Sequence, residues 1–121
     1  MTVAVWIVSA VAALLYLVAG GRKVTMAEAK LPANFPFVEA TGVPLLRLIG
    51  ALEILGAIGL IVPALTGIAP ILTPIAGFAL ALIMLLAIVF HVRRKEYGSL
   101  GFNALLLVLP LFVAIARLAG F

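Results

Sequence analysis

The sequence predicts an all-α protein, a four-helix transmembrane bundle, from three observations. Hydrophobic residues make up 67% of the 121-residue chain and charged residues only 10%, whereas an average soluble domain carries about 25% charged residues. Four segments are apolar over the roughly 20 residues that a membrane helix needs. The basic residues interrupt apolar runs, as membrane-flanking charges do, instead of forming a polar face. We therefore expect one domain, residues 1–121, with spans at about 3–23, 44–63, 74–92 and 100–118.

The first span is expected to be a retained helix and not a signal peptide. Signal peptides place positive residues before their apolar core, whereas here the first 21 residues carry no charged side chain, and Arg22 and Lys23 come after them. The connection that follows, residues 24–43, contains Pro32 and Pro36, which prevent one continuous helix. We expect a short turn that lies against the lipid headgroups, and a solvated loop is the alternative.

Prolines indicate the limits of the other spans. Pro44 and Pro74 stand near helix starts, where a missing N–H costs nothing, and Thr73 is the expected N-cap of the third span. Pro63, the Thr66-Gly67 pair and Pro70 are expected to break the chain between the second and third spans. A Gly-Ser pair opens the fourth span.

A further proline, Pro110, lies inside the fourth span and frees the main-chain carbonyl of Leu106. In membrane helices a neighbouring group usually satisfies such a carbonyl, although it can also bind a ligand hydroxyl. We therefore expect a kink that a neighbouring helix fills, with ligand binding as the alternative.

The charges of the connections predict the orientation in a cell (inner) membrane. The connection between the third and fourth spans is basic, as is the one between the first and second, whereas the 64–73 connection and the N-terminal segment carry no charge. Arg117, at the end of the fourth span, is the contrary charge, and Trp6 is expected in the aromatic belt at the outer interface. The positive-inside rule predicts both basic connections in the cytoplasm and both termini outside.

Several classes of function are excluded or disfavoured by composition. The chain has no cysteine, which removes disulfides, thiol redox chemistry and Cys-ligated metal centres. A single histidine excludes bis-histidine haem within one chain and leaves little for a metal site. The net charge of +4 does not indicate nucleic acid, because the basic residues form no patch. No metal site and no catalytic set of residues is predicted.

Six polar side chains are expected to gather in one half of the bilayer. Glu53 lies near the middle of the second span, where a charge costs at least a few kcal/mol and marks a site or a structural pair. Arg47 lies six residues away and does not share its helix face, so Glu53 needs partners from other spans. At about 1.5 Å per residue the others fall at similar depth or nearer the cytoplasm. The predicted polar pocket consists of Tyr16, Lys23, Arg47, Glu53, His91 and Asn103.

Each member of this set has a structural interpretation beside the functional one. Glu53 with Lys23 or Tyr16 is either a buried structural pair or part of a ligand site. A neutral, protonated Glu53 is a third alternative, because burial disfavours a charge. Arg47 is expected mainly as an interface anchor. His91 is expected mainly as an interfacial histidine, with contact to Glu53 as the alternative.

Small residues spaced for close helix packing predict how the helices meet. Gly50 and Ala57 put a narrow seam on the second span, and Gly77 and Ala81 put one on the third. We expect the seam at Gly77 and Ala81 to be available to a second copy of the chain, which predicts a homo-oligomer.

Four stretches of sequence carry a resemblance to a known family. They are AGGRK at 19–23, RLIGALEILGAIGLIVPALTGIAPILTPIAG at 47–77, FHVRRKE at 90–96, and the run from Asn103 to Arg117. Over nearly its whole length the chain resembles the DoxX-like family of small four-span membrane proteins. The resemblance implies that Lys23 and Glu53 are the family's recurring pair.

The resemblance implies several functions for such a chain. The family is named for a subunit associated with archaeal quinol oxidase and thiosulfate:quinone oxidoreductase, and distant relatives resemble assembly chaperones for membrane receptors. We expect a non-catalytic accessory or scaffold subunit, without activity of its own, that contacts membrane lipid and other membrane or oxidoreductase subunits. One alternative is a quinone- or lipid-binding subunit in which Glu53 or His91 bonds a headgroup oxygen. Another is a small-molecule carrier, which four short spans without a repeat support poorly.

Overall fold

The computed structural model describes residues 2–30, 42–98 and 100–121. Within them the chain forms four long helices, and the predicted all-α four-helix transmembrane bundle is confirmed, because all four are long and apolar enough to cross a membrane. A short 3-10 turn, Glu28–Lys30, follows the first helix, and the remainder of the expected interfacial turn, residues 31–41, lies outside the described residues. The helices are α1 (Thr2–Thr25), α2 (Val43–Thr66), α3 (Leu72–Arg93) and α4 (Leu100–Leu118).

The helices form a closed up-down-up-down bundle. Each helix packs against its neighbour in sequence, and α4 packs back against α1. The start of α1, the α2–α3 connection and the end of α4 therefore lie at one end of the bundle, which we call the terminal end. The ends of α1 and α3 and the starts of α2 and α4 lie at the other end, which we call the basic end.

The interior is small and the outside is apolar. Tyr16, Leu60, Leu80 and Val113 are fully buried. Large aliphatic side chains on every helix are exposed, among them Leu14, Leu55, Leu86 and Val108. In lipid these side chains cause no loss of stability, but for the same reason hydrophobic burial contributes little to helix association, which depends on close packing and on interhelical hydrogen bonds.

Glycines allow the helix backbones to approach at two crossings. A Cβ atom on Gly20 of α1 would lie 2.6 Å from the main-chain oxygen of Gly50 on α2, and one on Gly77 of α3 would lie 2.6 Å from that of Pro110 on α4. Gly77 and Ala81 are both buried inside the bundle. The expectation that this seam is available to a second copy is therefore wrong, because α4 occupies it. A homo-oligomer stays a prediction and would need another surface.

Two expectations about helix limits are wrong, and one proline explains both. Pro63 does not end the second span: α2 continues three residues beyond it, and Gly67, in the left-handed conformation, donates its N–H to the Pro63 oxygen. Thr73 does not cap the third span, because α3 begins one residue earlier. Pro63 leaves the carbonyl of Gly59 without an intrahelical donor. The Thr73 hydroxyl donates to that carbonyl oxygen at 3.0 Å and so joins α3 to α2.

Candidate functional site

A buried ion pair joins α1 to α2. Lys23 Nζ donates to Glu53 Oε1, and the Glu53 side chain is fully buried while that of Lys23 is 18% exposed. The pair lies at the glycine crossing of the two helices: a Cβ atom on Gly50 would lie 2.7 Å from the Cβ of Lys23, and one on Gly20 would lie 3.2 Å from the Cβ of Glu53. The absence of side chains at the two glycines makes room for the lysine and glutamate chains to meet.

The second carboxyl oxygen of Glu53, Oε2, is not bonded by Lys23. Oε2 is buried and has no hydrogen-bond partner among the described residues. A buried acceptor without a donor costs about 1–3 kcal/mol. A bound water or a hydroxyl group from a ligand would remove this cost by donating to Oε2. A proton on the carboxyl group would instead remove the charge and leave an O–H donor that needs an acceptor.

Arg47 acts on the same crossing through the main chain. Its Nη1 donates to the carbonyl oxygens of Lys23 at 3.0 Å and Val24 at 2.7 Å, in the last turn of α1. The last carbonyls of a helix have no intrahelical donor and carry partial negative charge, so a cation there is favourable. Arg47 thus caps α1 from α2 and holds the main chain that carries the Lys23 side chain.

Tyr16 joins α1 to α4. Its hydroxyl donates to the main-chain oxygen of Leu106 at 2.5 Å, the carbonyl that Pro110 leaves without an intrahelical donor. The expectation that a neighbouring helix satisfies the carbonyl freed by Pro110 is confirmed. The single hydroxyl proton of Tyr16 therefore goes to Leu106 and not to Glu53. Asn103 is buried one turn before Leu106 on the same helix.

His91 lies at the end of α3 and contacts a different carboxylate. Its Nδ1 is 3.0 Å from Glu96 Oε1, and Nε of Arg94 is 3.4 Å from Oε2 of the same residue. His91 is thus placed in a partly exposed cluster at the basic end, and the alternative in which it contacts Glu53 is not formed. No group of three or more metal-ligating side chains occurs within the described ranges.

The six predicted residues therefore bond in different places. Lys23, Arg47 and Glu53 bond at the α1/α2 crossing. Tyr16 bonds from α1 to the main chain of α4, Asn103 is buried on α4, and His91 pairs with Glu96 at the end of α3. An apolar groove of about 570 Å³ runs between α2 and α3, and none of the six lines it. The Lys23–Glu53 pair is therefore not the floor of that groove.

Among the described residues, several contacts between helices were missed from the sequence, including the bonds from Arg47 to the last carbonyls of α1. The Thr73–Gly59 bond has a signal, because Pro63 stands four residues after the carbonyl that it frees. The stacking of Arg117 on Trp6, with the guanidinium carbon 4.6 Å from the ring centroid, has none, since the two residues lie on the first and last helices.

The comparisons with known proteins give one family. A family model described as the DoxX-like family matches residues 7–113. The match includes both Lys23 and Glu53 and reaches into all four helices. No curated protein and no solved structure gives a significant match to the sequence.

Proposed function

Since the chain belongs to the DoxX-like family, we propose that it is a non-catalytic accessory or scaffold subunit of a membrane assembly. The observation that carries the proposal is the Lys23–Glu53 pair at the α1/α2 crossing. Next to the pair, Arg47 of α2 donates to the last main-chain carbonyls of α1 and so caps that helix. Bonds of this kind determine how two helices meet, and a fixed helix arrangement is what a scaffold presents to its partners.

A buried pair suits this role because of its specificity more than its strength. Replacing a buried ion pair by apolar residues is often neutral or stabilising, whereas breaking it by removing one partner is strongly unfavourable. Any shift of α1 along α2 would separate Lys23 from Glu53 and leave the carboxylate alone in the bundle. The pair would thus select one register of the two helices, and the outer surface would follow from that register.

A second candidate function, a quinone- or lipid-binding subunit, is favoured by a specific observation. Glu53 Oε2 is buried without a partner among the described residues, and Lys23 is partly exposed. A headgroup that enters from the basic end would place a hydroxyl against Oε2 and a carbonyl against Lys23 Nζ. A quinol supplies the hydroxyl and its oxidised form, the quinone, supplies the carbonyl. A lipid headgroup that carries a hydroxyl supplies the group that bonds Oε2.

The orientation proposed for the subunit follows from charge. We place the basic end in the cytoplasm and the terminal end outside, in the cell (inner) membrane. The support is the group of basic residues at the basic end: Arg22 and Lys23 in the last turn of α1 with Lys30 after it, and Arg93 at the end of α3 with Arg94 and Lys95 after it. Positive-inside topology places such residues in the cytoplasm.

The experiment that tests the proposed function compares three tagged forms purified from native membranes in mild detergent: wild type, Glu53→Gln and Glu28→Gln. Glu28 is an exposed glutamate outside the spans and serves as the matched control. Copurified proteins are quantified by mass spectrometry, and quinone and lipid by organic extraction. We expect a membrane protein in a fixed ratio to the wild type and to Glu28→Gln, with a lower ratio for Glu53→Gln.

The same purification decides between the two candidates. About one quinone or one lipid of a single class per chain, present in wild type and lost in Glu53→Gln at unchanged thermal stability, would contradict the scaffold proposal. The second candidate would then be preferred, because loss of a ligand without loss of stability is not what a structural pair predicts.

A further inference from the structure

Arg117 lies in the last turn of α4, at the terminal end of the bundle, and only part of its guanidinium is paired. Nη1 donates to the main-chain oxygen of Phe121 at 2.6 Å, and the face of the group stacks on the Trp6 ring of α1. Nε and Nη2 are buried, and neither has a hydrogen-bond partner among the described residues. These two atoms form the side-on edge with which arginine binds a carboxylate or a phosphate through two parallel hydrogen bonds.

Among the described residues, no acidic side chain lies at the terminal end. The four acidic residues are Glu28, Glu39, Glu53 and Glu96. Glu53 is paired with Lys23, and Glu96 contacts His91 and Arg94 at the basic end. Glu28 lies in the short turn after α1, also at the basic end, and Glu39 lies outside the described residues. Buried N–H groups without an acceptor are unfavourable, so an acceptor for Nε and Nη2 is expected from outside the described residues.

The surroundings of Arg117 match one class of acceptor. Arg117 lines a groove of about 310 Å³ with Pro70, Ile71, Pro74 and Leu118, so one cation lies among apolar walls. The ends of transmembrane helices lie at the level of the lipid headgroups. A phospholipid would place its phosphate on the guanidinium and the first carbons of its chains on the apolar walls. Stacking on Trp6 would hold the guanidinium plane in position, since arginine binds aromatic faces in this way.

We propose that Arg117 and Trp6 form a binding site for the phosphate of an anionic phospholipid in the leaflet at the terminal end. Charge complementarity favours this occupant, because the groove presents a single cation and no acidic side chain. The site lies on α1 and α4 at the opposite end of the bundle from Lys23. It is therefore independent of the function proposed for the Lys23–Glu53 pair.

The sole tryptophan of the chain reports on this site directly, because Trp6 is the residue on which Arg117 stacks. The full chain in detergent micelles is titrated with dioctanoyl phosphatidylglycerol while Trp6 fluorescence is recorded. We expect a saturable change for wild type and an affinity at least about tenfold weaker for Arg117→Gln, because a charge-assisted contact is lost. Arg117→Lys, which keeps the charge but loses the side-on edge, should lie between them.

A matched control exists at the other end of the bundle. Arg94 also places its guanidinium over an aromatic ring, 5.3 Å from the centroid of Phe90, but it contacts Glu96. Arg94→Gln should change the affinity less than about twofold, because removal of a surface ion pair is a small perturbation. Far-UV circular dichroism checks that each variant is folded. If Arg117→Gln is not folded, the comparison of wild type with Arg117→Lys is the test.

Three results would overturn the proposal. The first is equal affinity for phosphatidylglycerol in wild type and in the folded Arg117 variants. The second is an equal response to dioctanoyl phosphatidylcholine, whose headgroup has no net charge, since charge would then not govern binding. The third is the same saturable change with inorganic phosphate at the same concentrations, which would identify a site for a free anion and not for a lipid.

Discussion

Removing one partner of the Lys23–Glu53 pair should cost stability, and the two single changes should differ. Lys23→Met leaves the fully buried Glu53 carboxylate without its cation. Oε1 then loses its donor, and Oε2 already has none among the described residues. Breaking a buried pair costs about 3–5 kcal/mol, and in a membrane the lower part of that range applies, because the unfolded reference state also finds partners. We therefore expect a loss of about 3 kcal/mol in the free energy of unfolding.

Glu53→Gln should cost less, for a reason visible in the structure. Lys23 is 18% exposed and has a long apolar stem, so its ammonium group is able to move toward the basic end. The glutamine carbonyl still accepts a hydrogen bond from lysine. We expect a loss of about 1–2 kcal/mol, the size of a charged hydrogen bond replaced by a weaker one.

The double variant measures the interaction itself. Lys23→Met with Glu53→Gln leaves a buried amide but no charge, and its loss should be about 1–2 kcal/mol. The sum of the two single losses should then exceed the loss of the double variant by at least about 1 kcal/mol, a coupling typical of residues in contact.

Reversible unfolding by dodecyl sulfate in mixed micelles, followed by far-UV circular dichroism, supplies these free energies. Arg93→Met and Glu28→Gln are the controls, since both residues are exposed, and each should stay within about 0.5 kcal/mol of wild type. Additive single losses would refute the reasoning, because they would mean that the pair contributes no interaction energy. A larger loss for Glu53→Gln than for Lys23→Met would refute the argument from exposure.

Alanine substitutions at the adjacent glycines Gly20 and Gly21 of α1 should have opposite effects on stability in the same assay. Gly20→Ala would place a Cβ atom 2.6 Å from the main chain of α2 and should lower the free energy of unfolding by at least about 1 kcal/mol. Nothing lies within 4 Å of a Cβ atom on Gly21, so Gly21→Ala should raise it by up to about 1 kcal/mol, and equal responses would contradict the close crossing. For the orientation, single cysteines at Ala29 and Ser99 should be protected from a membrane-impermeant thiol reagent in intact cells, and one at Thr66 should react. The reverse labelling pattern would invert the proposed topology, and the natural absence of cysteine gives a clean background.

The number and approximate limits of the helices could be predicted from the sequence, and the reason is the solvent. A helix that crosses a bilayer must satisfy its own backbone hydrogen bonds and must be apolar for about 20 residues. Both requirements act on each segment alone, so they need no knowledge of its neighbours. The predicted start of the fourth span, residue 100, coincides with the start of α4. The error at Pro63 arose where a neighbouring helix compensates the proline: Thr73 supplies the hydroxyl that lets α2 continue.

The sequence predicts how deep each candidate side chain lies in the bilayer, but not which neighbouring helix it faces. Rise per residue places Glu53 at mid-span and Lys23 and His91 nearer the basic end, and this required only the sequence. Which side chains face each other depends on the rotation of each helix about its axis. Rotation is poorly determined by sequence here, because lipid accepts an apolar side chain on every face. The structure pairs Lys23 with Glu53 and directs His91 to Glu96.

From the sequence alone it follows that the chain is a four-helix membrane protein with a carboxylate near the middle of its second span. The packing of the helices sets the rest: that this carboxylate is buried and meets Lys23, that α4 occupies the Gly77 seam, and that Arg117 stacks on Trp6. Insertion into a bilayer is a property of single segments. Contacts between helices depend on close approach and on hydrogen bonds between residues far apart in the chain, and these exist only once all four helices are packed.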